Sequence, residues 1–297
     1  GRLAEGWQAY EARWRTARFK GQNRAGQKPR WTAAGAEPGA TVLVRAEQGF
    51  GDTIQFARYA ALLAAADQHV ILECPATLRR LMTSLDGVIQ VVEQGDDRLP
   101  GHDYQIPLMS LPAAFATDLA TIPADVPYLR APDRDRADWR RRLGKLAGPR
   151  IGIVWKGSPD HPRDRVRSPG LAPFLPLLNL SGATLVSLQM GGGTDLAAHG
   201  ADAVVDMTPD LRDFAATAAL IECLDLVVTC DTAVGHLAGA LGRPVAMMLP
   251  QVPEWRWLLD RDDTPWYPTM RLFRQPAAGD WDDAVKSLVS YIRRHWL

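Results

Sequence analysis

Twice along this chain, short runs of β-branched and apolar residues alternate with segments whose apolar side chains recur every three or four positions. That alternation leaves few folds open. In the first series Thr41 to Arg45 reads as a strand, followed by the glycine-rich turn Glu47-Gln48-Gly49-Phe50-Gly51. A helix is predicted from Asp52 to about Ala66, with Ile54, Ala57, Ala61 and Ala64 on one face. Val70 to Cys74 and Val88 to Val92 read as strands either side of a helix over Ala76 to Leu85, and Tyr104 to Leu108 as one more strand. The second series has strands at Ile151 to Trp155, Thr184 to Leu188, Ala203 to Asp206, Leu226 to Cys230 and Val245 to Leu249. Helices are predicted over Leu171 to Leu180, Asp213 to Leu224, Thr232 to Leu241 and Asp280 to Trp296, with 251–279 irregular. Successive βα units of this kind predict an α/β fold of two parallel sheets, each covered by helices on both faces.

At 297 residues the chain is long enough for two domains. Thirty-four Lys and Arg balance thirty-four Asp and Glu, whereas proteins that live on nucleic acid or anionic membranes carry a basic surplus. The longest apolar runs, such as Pro244 to Pro250, fall far short of the ~20 residues that span a bilayer. Gly1 to Gly6 has neither a Met nor the apolar core of a signal peptide, so the expectation is a processed chain or an excised piece of a longer one. Cys74, Cys223 and Cys230 show no CxxC or Cys/His spacing. Three buried thiols in a reduced, cytoplasmic protein are expected, with no zinc site.

Residues 1–18 read as one amphipathic helix with Trp7, Tyr10 and Trp14 on a shared face. The resulting plan is a terminal helix (1–20), a Gly/Pro-rich linker (21–40), a first domain (41–130), a charge-rich connector (131–149), a second domain (150–276) and a closing helix (277–297).

Three strand ends could carry chemistry. The first, Gly49-Phe50-Gly51-Asp52, is neither a Walker A loop nor a dinucleotide fingerprint, since Ile54 stands where the third Gly belongs. Its glycines allow close backbone approach to a ligand. Asp52 reads either as a helix N-cap or as a general base at the carboxyl edge of the sheet, and the two are compatible. The second, Trp155-Lys156-Gly157-Ser158, is followed by Arg163, Arg165 and Arg167. Such cations suit a diphosphate, and a solvated polar loop is the plain alternative. The third, Thr229-Cys230-Asp231-Thr232-Ala233-Val234-Gly235-His236, delivers Asp231 and Thr232 from a buried strand to a helix start. Phosphate oxygens can be held there by backbone N–H groups and the Thr232 hydroxyl. His236 lies one turn inside, as a phosphate donor or as a satisfied polar residue. Asp133-Arg134-Asp135 and Asp260-Arg261-Asp262 look like DxD metal motifs but read as solvated loops. Trp255, Trp257, Trp266 and Tyr267 could stack on a base or sugar, although core packing is the commoner use of such residues.

Together these motifs resemble glycosyltransferase family 9 (heptosyltransferase-like), and more closely its bacterial members fused behind tetratricopeptide repeats. The resemblance covers essentially the whole chain. It is carried by Gly6 to Trp14 (Gly-Trp-x-x-Tyr-Glu-x-Arg-Trp), Gly51 to Tyr59, Trp155-Lys156-Gly157, Arg167-Ser168-Pro169 and Ser187-Leu188-Gln189. Asp231 to Gly242, Trp255 to Leu259 and Trp266 to Gln275 carry it further. A departure is Gly235, where Ala is expected, at a helix-propensity cost of about 1 kcal/mol at most.

The resemblance implies a GT-B architecture: two Rossmann-like domains facing a cleft, preceded by one repeat-type helix, with the final helix returning to the first domain. It implies a metal-independent inverting transfer of a sugar from a nucleotide-diphosphate donor to a hydroxyl acceptor, with no cofactor. Asp52 would be the base, with Gly49 and Gly51 shaping the loop. Lys156, Gly157, Arg167, Gln189, Asp231, Thr232, Ala233 and His236 would bind the donor. Expected partners are the nucleotide-diphosphate sugar, an acceptor protein or glycan, and upstream tetratricopeptide repeats. The rival readings are a non-catalytic binding module on a degenerate scaffold and a nucleotide-sugar epimerase or hydrolase.

Overall fold

The computed structural model describes residues 1–17, 19, 28–96 and 98–297. Residues 18, 20–27 and 97 lie outside them, and with them the end of the predicted terminal helix and the first part of the 21–40 linker. The chain divides into two compact units, Gly1–Ala124 and Asp125–Leu297.

The first unit is a four-stranded parallel sheet in the order β3-β2-β1-β4, from β1 (Thr41–Arg45), β2 (His69–Cys74), β3 (Val88–Glu93) and β4 (Tyr104–Pro107). Val42, Leu43 and Val44 at its centre are fully buried. The predicted terminal helix ends early: α1 (Leu3–Tyr10) tightens into a 3₁₀ turn over Glu11–Arg15. Three residues per turn replace 3.6, so Trp14 leaves the face of Trp7. Trp7 is buried against Phe56, its indole N–H donating to the Thr117 carbonyl (2.9 Å), while Trp14 packs on Phe19.

The single helix predicted from Asp52 to Ala66 is two, α2 (Phe50–Phe56) and α3 (Tyr59–Ala65). At the break the buried Arg58 donates from Nε to the Gln55 carbonyl (2.8 Å) and from Nη1 to the Pro123 carbonyl (2.9 Å). Helices α4 (Ala76–Met82) and α5 (Leu111–Ala114) complete this unit.

The second unit holds six parallel strands in the order β10-β9-β8-β5-β6-β7. They are β5 (Arg150–Val154), β6 (Thr184–Ser187), β7 (Val205–Asp206), β8 (Leu226–Cys230), β9 (Val245–Leu249) and β10 (Met270–Arg274). Around them lie α6 (Asp133–Leu143), α7 (Asp164–Arg167), α8 (Gly193–Ala198), α9 (Phe214–Ile221), α10 (Ala233–Ala240) and α11 (Trp281–Trp296).

Several expectations need correction. Strand β10 lies inside the stretch read as irregular. Leu171 to Leu180 winds as 3₁₀ rather than α, with Pro173 and Pro176 within it. The 131–149 connector contains α6, which buries Trp139 and Leu143 and packs on α9. Asp133 and Asp135 are therefore in a helix's first turn, where carboxylates suit the helix dipole, and not in a loop. The second unit begins before residue 131, because the Tyr128 amide donates to the Ala240 carbonyl at the end of α10 (3.0 Å).

The closing helix, expected to return to the first domain, packs within the second unit. Ala284, Val285, Leu288, Val289 and Ile292 join the core built by Ile151, Phe174, Leu177 and Leu226. Cys74, Cys223 and Cys230 are free and buried, and burial raises all three thiol pKa values.

Candidate functional site

In the second sheet the chain leaves β5 on one side through β6 and β7, then returns to its other side through β8, β9 and β10. The β5/β8 boundary is thus a topological switch point, and open α/β sheets bind ligands outside the carboxyl ends of the strands there. The residues delivered to that place are Trp155, Lys156 and Gly157 after β5, and Asp231 and Thr232 after β8. Five of the predicted donor residues are therefore local to it: Lys156, Gly157, Asp231, Thr232 and Ala233.

Thr232 is the N-cap residue of α10 in extended conformation, and its side chain accepts no bond from the helix amides. Its hydroxyl lies 3.0 Å from that of Thr229, which itself donates to the Cys230 carbonyl (2.8 Å). The first N–H groups of such a helix have no partner within it. Arg167 reaches across from α7 and donates from Nη1 to the Asp231 carbonyl (2.9 Å). Its path exists because residue 157 is glycine: a Cβ there would collide with the Arg167 guanidinium and the Asp164 carboxylate. Asp164 pins this corner, accepting from Arg167 Nε (3.4 Å) and from the Ser168 hydroxyl (2.8 Å), which accepts in turn from the Gly157 amide (2.9 Å).

Lys156 behaves differently. Its Nζ donates to Asp195 Oδ2 (2.7 Å), which also accepts from the Trp155 indole (2.8 Å), and these bonds lower the Asp195 pKa. Gln189, buried at the end of β6, acts on backbone: its Oε1 accepts from the Trp155 amide (3.1 Å) and the Lys156 amide (3.0 Å). Of the two cations, Arg167 is joined to Asp231 and Lys156 is held by Asp195.

His236 is 5% exposed. Its Nδ1 shares a hydrogen bond with the Tyr267 hydroxyl (3.0 Å), its ring stacks on Trp257 at 5.3 Å, and its Nε2 lies 3.8 Å from Asp231 Oδ1. Trp257, Trp266 and Tyr267 are buried, so they pack and orient rather than offer a stacking surface; Trp255 is 37% exposed. Gly239 admits the Tyr267 ring, which a Cβ would strike. Gly235 has a similar reason, since a Cβ would press on Met247 Cε and Thr229 Cγ2, so bare backbone lets α10 lie close on β8 and β9. Sequence reasoning did not single out Glu254, whose carboxyl pKa is raised by burial, against the pull of Arg256 and with a small push from Asp231.

In the first unit the switch point lies between β1 and β4. Gly49 is the N-cap residue of α2, and Asp52 is the third helical residue, not the cap itself. Asp52 Oδ2 accepts from the Gly49 amide (3.0 Å), closing the turn from within, and Gly51 lies in the helix's first turn. Immediately before it, the buried Glu47 accepts from Arg13 Nη2 (3.0 Å) and from the Met109 amide (3.3 Å). Burial pushes its pKa up to about 7 against the attraction of Arg13. Glu11 beside it goes the other way: burial raises its pKa, but bonds from Arg30, Ser110 and Arg13 outweigh that and hold it at about 2. A cavity of ≈ 410 Å³ opens at the carboxyl ends of these strands, with Trp14, Arg30, Arg45, Glu73, Gln94 and Gln105 in its wall. Among the described residues no three His, Cys, Asp or Glu side chains gather as a metal set.

Two parallel sheets, each with a helix start at the carboxyl edge of a topological switch point, define an open α/β class of protein. Comparison with known proteins narrows that class. Residues 195–248 match glycosyltransferase family 9 (heptosyltransferase). Protein FlbA of Caulobacter vibrioides is 27% identical over 326 residues, an alignment covering 99% of this chain; the chain spans 53% of that protein's length.

The fold is shared with E. coli ADP-heptose LPS heptosyltransferase II (TM-score 0.59, 14% identity, 85% of this chain and 99% of that one). It is shared as well with the family 9 glycosyltransferase of Veillonella parvula (0.58, 12%, 87% and 99%) and with E. coli heptosyltransferase WaaC with ADP (0.56, 12%, 84% and 99%). The family match and this fold support a glycosyltransferase. No helix among the described residues is long and apolar enough to cross a membrane.

Proposed function

We propose that the chain is an inverting glycosyltransferase of GT-B architecture, using a nucleotide-diphosphate sugar and a hydroxyl acceptor, with no metal. The observation that carries this reading is the β5/β8 switch point, where Arg167, Thr232 at the start of α10 and an oriented His236 stand around Asp231. A diphosphate on the α10 amides would be met by the Arg167 guanidinium and by His236 Nε2. As the bond from the anomeric carbon to the diphosphate oxygen breaks, the electron pair stays on that oxygen. These fixed donors stabilise the growing charge, which is the work a metal does in other sites. Asp52 would take the acceptor hydroxyl's proton as its oxygen bonds to the anomeric carbon from the opposite face.

The acceptor side belongs to the first unit, whose ≈ 410 Å³ cavity is of small-ligand size. A hydroxyl on a protein is the acceptor we favour, because the Gly6 to Trp14 motif resembles that of repeat-linked family members, and repeat solenoids offer long concave binding surfaces. The buried free thiols suit a cytoplasmic setting.

The deciding experiment is Asp52→Asn with donor binding and transfer measured side by side. Near-normal donor affinity with transfer lost supports the base; transfer at the wild-type rate refutes it. Transfer abolished by a chelator and restored by a divalent cation would refute metal independence.

A further inference from the structure

The Tyr10-Glu11-Ala12-Arg13-Trp14 segment has no role in the chemistry proposed above, yet its polar side chains converge on the turn that carries Asp52. Arg13 is 6% exposed. From Nη2 it donates to Glu47 Oε1 (3.0 Å), after β1, and to the Ser110 hydroxyl (2.7 Å), after β4. From Nη1 it donates to Glu11 Oε1 (2.9 Å) and the Tyr10 carbonyl (3.2 Å). The Ser110 hydroxyl in turn donates a hydrogen bond to Glu11 Oε1 (2.7 Å), and Gln48 Nε2 donates to the Tyr10 hydroxyl. The guanidinium carbon lies over two rings, 4.7 Å from the Tyr10 centroid and 4.5 Å from that of Trp14. One short segment thus grips both sides of the β1/β4 switch point. Its grip ends at Gln48; Gly49, the N-cap of α2, comes next, and Asp52 is the third residue of that helix.

A buried Arg–Glu pair is a poor source of stability, since desolvating both charges consumes most of their attraction. Arg13 Nε is in addition buried without a hydrogen-bond partner. Apolar residues of similar volume would fill this place as firmly. What a charged fork supplies that they cannot is directional bonding to Glu47 and Ser110 at once.

We infer that Arg13 is a positioning residue for Asp52: bound to Glu47 and Ser110, it fixes the Glu47–Asp52 turn so that the Asp52 carboxylate is aimed before acceptor arrives. The inference rests on the base role proposed for Asp52. The N-terminal segment is then part of the working face of the first unit, not an appendage to it.

The test separates aim from stability. Arg13→Met alone leaves Glu47 buried and unpaired and is expected to be destabilised. Arg13→Met with Glu47→Gln removes both charges and is expected to recover the wild-type melting temperature. In that double variant, donor Kd should be unchanged and kcat should fall about a hundredfold, the order seen when a reacting group is displaced by about 1 Å. Amide hydrogen exchange at Gly49–Thr53, measured without substrates, should quicken at least severalfold. A double variant with wild-type kcat and wild-type exchange overturns the inference. If the wild-type chain transfers to no acceptor, the enzymatic reading fails by itself. The exchange measurement then still decides whether Arg13 fixes the turn: quicker exchange supports that, and unchanged exchange overturns it. Arg13→Lys adds a check, because a lysine cannot fork to Glu47 and Ser110 and should not rescue kcat.

Discussion

His236 and Tyr267 share a hydrogen bond of 3.0 Å through the histidine Nδ1, which leaves Nε2 turned to Asp231 at 3.8 Å. Tyr267 is fully buried and Gly239 makes the space for its ring, so the histidine is aimed from beneath by a partner 31 residues away. Tyr267→Phe keeps the ring and removes the hydroxyl. Stability should fall by about 1–2 kcal/mol, because Nδ1 loses its partner in a buried place. Affinity for a nucleoside diphosphate should fall up to about tenfold. Thermal melting and titration calorimetry on one preparation measure both, and unchanged affinity would detach Tyr267 from the site.

Arg167 and Lys156 should not be equivalent. Arg167 is fastened beside Asp231 and Lys156 is occupied by Asp195. Arg167→Met should weaken diphosphate binding by about 1.5–3 kcal/mol, the range for bonds to charged groups. Lys156→Met should weaken it by less than half of that. Equal losses in calorimetry would show that Lys156 leaves Asp195 when donor binds.

Gly157→Ala probes the same corner without removing a charge. The added methyl must displace either Arg167 or Asp164. A loss of diphosphate affinity close to that of Arg167→Met is expected, with the melting temperature little changed. Wild-type affinity would mean that Arg167 does not need this path.

The two carboxyls around Arg13 give stability a two-sided pH dependence. Glu47 has its folded pKa raised from 4.5 to about 7, so the folded state keeps a proton that the unfolded chain has released. Its contribution is fully present below about pH 4.5 and is lost as pH rises through about 7. Glu11, lowered to about 2, contributes stability that is present above about pH 4.5 and lost as pH falls through about 2. Urea midpoints between about pH 5 and about pH 8 should decline for the wild type, and Glu47→Gln should flatten that decline. A wild-type midpoint that rises across this window would contradict the direction for Glu47.

Leu288 is fully buried in α11 against the core of the second unit. Leu288→Ala should destabilise that unit by about 2–5 kcal/mol. Hydrogen exchange resolved along the chain should show the loss in Asp125–Leu297. Loosening confined to the first unit would contradict the packing of α11.

How far the sequence could be read depends on how each element earns its burial. Strands β8 and β9 run over the same residues in sequence and structure, because both are unbroken apolar runs set off by turn residues. Strand β10 escapes notice because Arg271 and Arg274 interrupt it at the sheet edge. Helix α6 escapes because Trp139 and Leu143 are its only buried residues. The apolar stripe of α11 says that one face is covered, but periodicity cannot say by which unit. The same holds for the site. Thr232 and His236 are legible because a strand hands them to a helix start. The union of Gly157 with Arg167, of Gly235 with Met247, and of Arg13 with Glu47 depends on approaches between segments that no local pattern records.

The three shielded sulfurs leave the molecule open to site-specific labelling. Because Cys74, Cys223 and Cys230 are all buried with raised pKa values, none is readily attacked by a thiol-directed probe. A reporter pair introduced at exposed sites, one on each unit, can therefore be attached while every native cysteine stays in place. Spin-label or fluorescence distances collected with and without a nucleoside diphosphate would then test whether adding it changes the separation of the two labels.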